Sequence, residues 1–422
     1  MKRISRIQLV TGLILFVVML LTKCTSVEEK KPTTFTPAVD FTAFAGSASC
    51  ASCHRDVYEK HLHTEHYSST SKASAEKILG SFEQGKNQYV FDNGATVVMQ
   101  GKDSGFYQTE YANGQVQKSE RIDMIVGSGR KGQSYINVNG NRFTQLPITY
   151  FTAAAQWSNS PGYPPHNAAF ERPITSRCLE CHTTFVQQVK STSPGVEEFD
   201  KTKIIYGIDC ERCHGPAARH VAFQTQNPKV TEAKFIVNPA KLSRQQNLDL
   251  CSLCHGGRLQ KKTPSFSFQV GDSLTGFFAP NKNFMDATNI DVHGNQAGLL
   301  SASNCFRLSQ LTCNSCHNAH ENEKDKIALF SQRCQTCHSS GHQKICKLTD
   351  TIGTAITQNC IDCHMPKQAS RSIAVYLQGA QQPTPVFMRT HWIKIYPEET
   401  DKVKNLLKAT RAKGNLNAKE IR

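Results

Sequence analysis

A five-residue pattern, Cys-x-x-Cys-His, recurs along this 422-residue chain and restricts its fold more than any other feature. Motifs 1 to 7, in chain order, are Cys50/Cys53/His54, Cys178/Cys181/His182, Cys210/Cys213/His214, Cys251/Cys254/His255, Cys313/Cys316/His317, Cys334/Cys337/His338 and Cys360/Cys363/His364. The two thiols of such a motif form thioether bonds to the vinyl groups of one porphyrin, and the histidine binds its iron. The sequence therefore predicts seven covalently bound haem c groups, with the motif histidines as proximal ligands.

Zinc sites and disulfide frameworks also use paired cysteines. A zinc array needs its ligands in sets of four. Neither a zinc site nor a disulfide requires a histidine directly after every second cysteine. The haem interpretation is therefore favoured over both alternatives.

The formal net charge of +15 would, taken alone, suggest a nucleic acid or an anionic membrane surface as partner. Removal of the predicted leader takes away Lys2, Arg3, Arg6 and Lys23, and seven haems, each with two propionates, would neutralise most of the remaining charge. The basic residues are therefore interpreted mainly as counter-charges for propionates. We expect redox proteins as partners and no nucleic acid.

The N-terminus is typical of an exported protein. Residues 1–6 carry three positive charges, and residues 9–22 form an apolar segment too short to span a membrane comfortably. Cys24 closes this segment like the lipidated cysteine of a lipobox, although Lys23 stands where a small residue is usual. We predict a signal peptide over 1–23 and a lipidated flexible tether over 24–46, with an uncleaved short anchor or ordinary secretion as alternatives. The predicted product is a periplasmic or outer-membrane lipoprotein, with exposure at the cell surface left open.

Three Asn-Gly pairs, each between two apolar runs, predict an antiparallel β-module. They are Asn93-Gly94, Asn113-Gly114 and Asn139-Gly140, and this dipeptide is the strongest short signal for a β-hairpin. The predicted order is a first haem-binding segment (47–87), the β-hairpin module (88–150), a multihaem domain with six haems (151–395) and a basic C-terminal tail (396–422). The module is interpreted as a lid, a platform or a docking face for a partner.

Histidines outside the motifs are the candidates for the second, distal iron ligand. They are His61, His63, His66, His166, His220, His293, His320, His342 and His391. The predicted distal set is one of His63 and His66, together with His220, His293, His320, His342 and His391. A histidine that closely follows a motif, such as His320 after His317, cannot easily reach the far face of its own haem. It is better placed to bind the iron of a neighbouring haem.

The number of distal histidines bears on function. A six-coordinate haem iron has no open position for a substrate and is suited to electron transfer, whereas one missing ligand creates a catalytic site. Nine histidines for seven irons leave both possibilities open. The sequence favours an electron carrier over an enzyme without deciding between them.

Cys305 and Cys346 belong neither to a motif nor to the predicted lipobox. In an oxidising compartment an even remainder of cysteines suggests a disulfide. Two separate buried thiols are the alternative.

Several motifs, together with their neighbours, resemble those of a known family. They are the segment from Cys50 to His66, motif 3 followed by Gly215-Pro216 and His220, motif 5 followed by Asn318 and His320, and motif 7 followed by Met365-Pro366. These are similar to multihaem cytochromes of the cytochrome c-554 family, to which hydroxylamine oxidoreductase and pentahaem nitrite reductase are more distantly related. The resemblance covers residues 47 to 395 and implies a mainly α and coil scaffold, to which the small antiparallel β-module near the N-terminus is added. It also implies stacked and perpendicular haem pairs.

The nitrite-reductase relatives commonly replace the proximal histidine of the catalytic haem by lysine, whereas all seven motifs here end in histidine. This difference counts against their active site. The function predicted from the sequence is therefore an exported heptahaem cytochrome that transfers electrons between a membrane-side donor and a periplasmic or extracellular acceptor. The alternatives are an oxidoreductase that acts on a small nitrogen or sulfur compound at one five-coordinate haem, and a haem subunit of a larger respiratory complex.

Overall fold

Antiparallel strands form much of the N-terminal half of the protein. The computed structural model describes residues 39–279, 286–338 and 346–412. The strands are β1 (Thr70–Lys72), β2 (Gln88–Val90), β3 (Thr96–Lys102), β4 (Gly105–Ala112), β5 (Gln115–Ile122), β6 (Met124–Val126), β7 (Gly132–Asn139), β8 (Arg142–Gln145), β9 (Ile148–Phe151), β10 (Gln156–Asn159), β11 (Arg172–Pro173), β12 (Thr183–Val189), β13 (Glu198–Tyr206), β14 (Gln260–Lys261), β15 (Phe278–Ala279), β16 (Lys367–Val375) and β17 (Thr384–Arg389).

Most of the α-helices are short, and several contain or end in a Cys-x-x-Cys-His motif. They are α1 (Ser47–Cys50), α2 (Arg55–His61), α3 (Ser176–His182), α4 (Cys210–His214), α5 (Ala218–Gln226), α6 (Arg244–His255), α7 (Leu274–Phe277), α8 (Gln296–Ser301), α9 (Asn304–Arg307), α10 (Ile327–Gln335), α11 (Thr349–Ile352), α12 (Cys360–His364) and α13 (Pro397–Ala412). Short 3₁₀ helices lie at Phe41–Ala43, Tyr67–Ser69, Thr152–Ala154, Pro239–Lys241, Ala287–Asn289, Cys313–Ser315 and Thr354–Gln358.

The strands pair into two larger sheets and three hairpins. One sheet of seven strands has the order β1-β6-β7-β8-β11, with β9 joined to β7 and β10 joined to β9. A four-stranded sheet has the order β2-β3-β4-β5, and the hairpins are β12-β13, β14-β15 and β16-β17. All of these pairs are antiparallel. The two larger sheets extend from residue 70 to residue 173, beyond the predicted module at 88–150.

The three predicted Asn-Gly hairpins are confirmed, because they join β2 to β3, β4 to β5 and β7 to β8. In the second hairpin, Ala112 and Gln115 face each other across a two-residue turn. The residues of that turn, Asn113 and Gly114, have φ angles of 51° and 74°. Two positive φ angles are what a type I′ turn requires, and Asn-Gly adopts them at low cost.

A core of aromatic and aliphatic side chains joins the two sheets around Trp157, which is buried. Its ring contacts those of Tyr135 and Tyr150, with centroid distances of 5.6 Å and 5.8 Å. Its Nε1–H donates to the carbonyl of Ser81 at 2.8 Å, so the polar atom of the indole is satisfied. A Cβ atom at Gly80 would lie 2.1 Å from the indole ring, so this position must stay glycine.

The prediction of a mainly α and coil scaffold is wrong, since the structure is 31% helical and 25% strand. Hairpin β12-β13 begins directly after motif 2, and hairpin β16-β17 follows motif 7. Hairpin β12-β13 forms because β-branched and aromatic residues, such as Thr183, Phe185 and Val186, favour strands. Phe185 and Val186 are buried in one cluster with Phe199 of β13. The segments between motifs therefore fold as hairpins rather than as coil.

Within the predicted basic C-terminal tail, residues up to Ala412 form helix α13. Residues 413–422, the predicted signal peptide and the tether up to residue 38 lie outside the described residues. Among the helices that the structure describes, none combines the length and the apolar character needed to cross a bilayer.

Candidate haem attachment sites

Motifs 1 and 5 each form one helical turn. In each, the backbone N–H of the histidine donates to the backbone carbonyl of the first cysteine. The distance is 2.8 Å from His54 to Cys50 and 3.0 Å from His317 to Cys313. Motifs 3 and 7 coincide with α4 and α12, while motifs 2 and 4 end α3 and α6. On a helical turn, residues three and four apart share a face. The two thiols and the imidazole of one motif therefore lie on the same side, as attachment to one porphyrin requires.

Thiols of different motifs lie against one another. None of the motif cysteines forms a disulfide. The contacting pairs are Cys50 and Cys210 (motifs 1 and 3), Cys181 and Cys254 (motifs 2 and 4), Cys251 and Cys313 (motifs 4 and 5), and Cys334 and Cys360 (motifs 6 and 7). A hydrogen bond from the Cys181 thiol lowers the pKa of Cys254 to about 6. The chain therefore brings motifs together that are far apart in sequence.

The predicted thioether residue Cys53 does not share this packing. Cys53 is an exposed thiol, whereas Cys50, the other thiol of motif 1, is half-buried. The physical reason is its place in the turn between α1 and α2, where Ser52 and His54 are exposed as well. The Cys53 Sγ atom accepts the Ser52 hydroxyl at 3.8 Å. Attachment of a haem at Cys53 stays a prediction.

Two further predicted thioether residues, Cys178 of motif 2 and Cys337 of motif 6, are exposed in the same way. Cys363 of motif 7 is buried. Thioether formation requires the thiol to meet a vinyl group at the edge of a porphyrin, and an exposed thiol is accessible to one. The motifs therefore differ in how far the protein itself covers their thiols.

The thiols and imidazoles are not arranged as bare metal sites. Within 39–279, 286–338 and 346–412, no group of three or more His, Cys, Asp and Glu side chains could hold a metal ion. A structural zinc site needs four such ligands. The described motifs thus lack the arrangement of the zinc alternative.

Three pairs of imidazole rings provide a direct test of whether the residues fit haem. The ring centroids are 6.2 Å apart for His66 and His255, 6.0 Å for His214 and His320, and 6.2 Å for His317 and His391. Each pair joins a motif histidine to a histidine outside the motifs. An imidazole nitrogen binds a metal ion at about 2.0–2.1 Å, so two imidazoles on opposite faces of one iron have centroids about 6 Å apart. The spacing of these pairs fits a haem iron between the rings.

Hydrogen bonds to backbone carbonyls orient several of the imidazoles. The Nδ1–H groups of His214, His220 and His364 donate to the carbonyl oxygens of Val237, Lys234 and Lys394, each at 2.9 Å. A carbonyl can only accept, so Nδ1 carries the proton and Nε2 is left as the ligand atom. Such a bond also holds the ring in one orientation.

Three of the candidate ligands have strongly lowered pKa values. Desolvation, followed by the nearby His255, lowers the pKa of His66 to about 4. Desolvation also lowers the pKa values of His182 and His391 to about 4. These imidazoles are therefore neutral at pH 7, which is the form that binds a metal ion. The His66 side chain is exposed at its edge, while its ring lies beside that of His255.

His293 lies near motif 2. Desolvation is the main cause of the lowered pKa of His182, and the neighbouring imidazole of His293 is the second. The backbone N–H of His293 donates to Asp291 Oδ1 at 2.8 Å, and the same oxygen accepts the Ser370 hydroxyl at 2.9 Å. Asp291 therefore fixes the loop of His293 to strand β16.

The structure distinguishes between the two candidate histidines behind motif 1. Both side chains are exposed, but His66 forms a ring pair with His255, and among the described residues His63 forms none. Two other predicted residues, the distal candidate His342 and the lipidation candidate Cys24, lie outside the described residues.

The two weaker candidates face carboxylates. His166 is exposed, and its Nδ1 lies 3.0 Å from Asp92 Oδ2. His61 is buried, and its Nε2 lies 3.5 Å from Oδ1 of the buried Asp209. Both rings are therefore directed at an acidic partner instead of a motif histidine.

Charged residues inside the motifs tie the motifs to one another, and the sequence reasoning missed them. Glu211, between the cysteines of motif 3, is buried. Its carboxylate accepts the backbone N–H groups of Ala45 and Gly46, both at 2.8 Å, and that of Ala217 at 2.7 Å. It fixes the residues that lead into motif 1 against motif 3. The available signal was a charged residue in a variable position of the motif.

Motif 2 is tied to motifs 3 and 4 in a similar way. Arg177, which precedes motif 2, donates to Glu180 Oε2 at 2.7 Å and to the carbonyl of Leu253 in motif 4 at 2.6 Å. Arg212 of motif 3 donates from Nη2 to the carbonyl of Glu180 at 2.7 Å. The side chains of two arginines thus hold three motifs together.

Motif 5 is tied to motif 6 by Arg333, the residue before Cys334. Its Nη1 donates to the carbonyl of Cys316 at 2.6 Å and to Glu323 Oε2 at 3.0 Å, while Nη2 donates to Glu323 Oε1. Glu323 Oε2 also lies 4.0 Å from Nδ1 of His317. The carboxylate is therefore placed beside the proximal imidazole of motif 5.

Motif 7 is tied to the strand that leads to His391. Nη2 of Arg389 donates to Asp362 Oδ1 at 2.5 Å, and Nη1 donates to the carbonyl of Met365 at 3.2 Å. Because Arg389 lies two residues before His391, these bonds help to fix the position of that imidazole.

Cys305 and Cys346 pack in different surroundings. Burial raises the pKa of Cys305, which lies near Cys337 of motif 6. Cys346 packs in a cluster around Ile356. The structure has both residues as unpaired cysteines, and a disulfide between them stays a prediction.

Comparisons with known proteins agree with this architecture. A model of the family described as "Cytochrome c554 and c-prime" matches residues 155–215, which contain motifs 2 and 3. The multiheme cytochrome MtrA of Shewanella baltica (strain OS185) is 25% identical over 201 residues, which are 46% of this chain and 54% of MtrA. The chain thus matches about half the length of that curated relative.

A solved structure shares the fold. The crystal structure of the outer cell wall cytochrome OcwA has a TM-score of 0.50 and 14% sequence identity, over 85% of this chain and 81% of that chain. At this identity the likeness concerns the fold alone. Together with the recurring motif and the paired imidazoles, these matches identify the chain as a multihaem c-type cytochrome.

Proposed function

We propose that this chain is an exported heptahaem cytochrome c that transfers electrons between a membrane-side donor and a periplasmic or extracellular acceptor. The observation that carries the proposal is the pairing of motif imidazoles with imidazoles from outside the motifs. An iron with two histidine ligands has no open position for a substrate. Haem c supplies one-electron exchange, and the residues of the chain set its ligands and surroundings.

Each proposed distal ligand is assigned to a motif by the motif histidine near which its imidazole lies. They are His66 for motif 4, His320 for motif 3, His391 for motif 5 and His293 for motif 2. His220 is assigned to motif 1, because His54 and His220 both lie near His214. Its Nδ1–H is engaged with a carbonyl, so Nε2 is free to bind iron. In this scheme His320, which follows motif 5, serves motif 3.

The contacts between motifs support transfer along the whole chain. Thiol contacts connect motif 1 with 3, motif 2 with 4, motif 4 with 5, and motif 6 with 7. The side chain of Arg212 connects motif 3 with 2, and that of Arg333 connects motif 5 with 6. All seven motifs therefore belong to one connected series. Electron exchange requires cofactors in close proximity, which such a series provides.

An oxidoreductase that acts on a small nitrogen or sulfur compound is the second candidate. In the described ranges, no second imidazole forms a ring pair with His338 of motif 6 or His364 of motif 7. His342, outside those ranges, is the remaining predicted distal ligand. One histidine for two irons would leave one of them five-coordinate, and such an iron could bind a substrate.

The proposed location is the periplasm or the outer surface, with attachment to a membrane through lipid on Cys24. The support is the N-terminal sequence, together with the description of OcwA as an outer cell wall cytochrome. The proposed partners are redox proteins on either side. A haem subunit of a larger respiratory complex is the third candidate, and it predicts copurification with a partner from solubilised membranes.

A ligand-binding titration tests the relay against the enzyme. Purified holoprotein would be titrated with carbon monoxide when reduced, and with nitrite or hydroxylamine when oxidised, while the Soret band is recorded. The relay predicts no stoichiometric change. One ligand bound per chain would overturn it in favour of the oxidoreductase. A His391→Ala variant, in which a proposed distal ligand is missing, shows that the assay detects one open iron.

A further inference from the structure

Arg212 carries a charge that the described protein does not balance. Its Nη2 donates to a backbone carbonyl, that of Glu180. Its Nε is buried and has no hydrogen-bond partner. Across the described ranges, no Asp or Glu oxygen forms an ion pair with this guanidinium, whereas the neighbouring Arg177 pairs with Glu180 at 2.7 Å. Arg212 therefore differs from Arg177 in lacking a counter-charge.

The surroundings of Arg212 make this lack of a partner costly. The guanidinium carbon lies 5.4 Å from the ring centroid of Phe266, so part of the group is covered by an apolar ring. Glu180 pairs with Arg177, and the carboxylate of Glu211, the neighbour of Arg212 in sequence, accepts the backbone N–H groups of Ala45, Gly46 and Ala217. A charge that lacks a partner and has a buried, unsatisfied N–H is unfavourable in a protein. An anion beside Arg212 would supply both the missing charge and the missing acceptor.

We propose that Arg212 binds a haem propionate at the junction of motifs 2, 3 and 4, and that it raises the reduction potential of that haem. A guanidinium offers parallel N–H groups that match the two oxygens of a carboxylate. Each attached haem brings two carboxylates at the porphyrin edge opposite its thioether bonds. Because Arg212 lies among residues of motifs 2 and 3, the carboxylate that it binds would come from a neighbouring haem. A fixed positive charge favours the reduced haem, which is the more negative form.

This proposal rests on haem attachment at the motifs, and not on the direction of electron transfer. Haem content measured on the same sample distinguishes a failure of haem attachment from a failure of propionate binding, because only the former leaves the protein incompletely loaded. The charge-removing variant is Arg212→Gln. The charge-keeping variant is Arg212→Lys. The matched control is Arg130→Gln, which removes the same charge from a surface arginine that pairs with Glu65 at 3.2 Å.

Spectroelectrochemical titration of the full holoprotein is the first measurement. We expect Arg212→Gln to lower the midpoint potential of at least one haem by a tenfold change in the reduction equilibrium, which is about 59 mV for a one-electron couple. Arg212→Lys and Arg130→Gln should each shift the same potential by much less. Unchanged potentials in fully loaded Arg212→Gln would overturn the proposal.

Resonance Raman spectroscopy is the second measurement and does not depend on the maturation of Arg212→Gln. The bending mode of a haem propionate responds to its hydrogen bonds. Lysine keeps the charge but cannot donate two parallel N–H bonds. We therefore expect Arg212→Lys to shift one propionate mode relative to wild type, while Arg130→Gln leaves all modes in place. Identical spectra for wild type and Arg212→Lys would contradict propionate binding.

Discussion

Replacement of Glu323 by glutamine should weaken the contact between motifs 5 and 6. The Glu323 side chain is 6% exposed. It accepts from both terminal nitrogens of Arg333, with Nη1 at 3.0 Å, and from the backbone N–H of Asn318 at 3.0 Å. Arg333 in turn donates to the carbonyl of Cys316 at 2.6 Å. Loss of the carboxylate charge would leave the guanidinium with weaker acceptors.

The size of the effect follows from burial. Removing one partner of a buried ion pair costs about 3–5 kcal/mol, because the other charge stays desolvated. The Arg333 side chain is 24% exposed, and glutamine retains one acceptor, so we expect a loss near the lower limit, about 3 kcal/mol. The matched control is Glu321→Gln. Glu321 pairs with Lys60 at the surface, with side-chain exposures of 35% and 59%, and such pairs contribute about 0–1 kcal/mol.

Unfolding of the holoprotein in guanidinium chloride, followed by far-ultraviolet circular dichroism, measures both variants. A hydrogen bond from Arg333 lowers the pKa of Glu323. The contribution of this pair is therefore complete above the unfolded-state pKa of about 4.3 and is lost as the pH falls through the lower folded-state pKa. The difference between wild type and Glu323→Gln should shrink in that acidic range. Equal losses for Glu323→Gln and Glu321→Gln would refute the reasoning.

Three other changes have defined outcomes. His391→Ala should convert one haem per chain from low-spin to high-spin in the electron paramagnetic resonance (EPR) spectrum, whereas His166→Ala should leave the spectrum unchanged; identical spectra for the two would exclude His391 as a ligand. Glu211→Gln should speed protease cleavage near Gly46, because three N–H contacts to the carboxylate weaken, each worth about 1.5–3 kcal/mol; an unchanged rate in limited proteolysis would contradict the tie. Cys24→Ala should move the protein from the membrane to the soluble fraction, and retention in the membrane fraction would argue against a lipid anchor.

Local features of the fold were predictable from the sequence. The Cys-x-x-Cys-His motif needs only one helical turn, which the bond from the His54 N–H to the Cys50 carbonyl shows. The Asn113-Gly114 hairpin is equally local, because the dipeptide itself adopts the two positive φ angles. Both signals depend on neighbouring residues alone. Packing of distant segments therefore does not change them, and both are present in the folded chain.

Long-range features were not predictable. The pairing of His66 with His255, or of His214 with His320, depends on how distant segments pack, and no local pattern encodes it. The motif also does not encode burial, so the exposure of Cys53 could not be read from it. Hairpin β12-β13 was missed because the motifs on either side drew the interpretation towards helix and coil, although its β-branched and aromatic residues favour strands. The tie through Glu211 was missed because motif searches ignore the variable positions.

The EPR spectrum of the fully oxidised protein, with haem quantified on the same sample, tests the central claim most directly. The proposed relay predicts seven haems per chain with only low-spin signals, which requires a second axial ligand on every iron, those of motifs 6 and 7 included. A stoichiometric high-spin signal that shifts on addition of nitrite or hydroxylamine would contradict it and would show an open, substrate-binding iron.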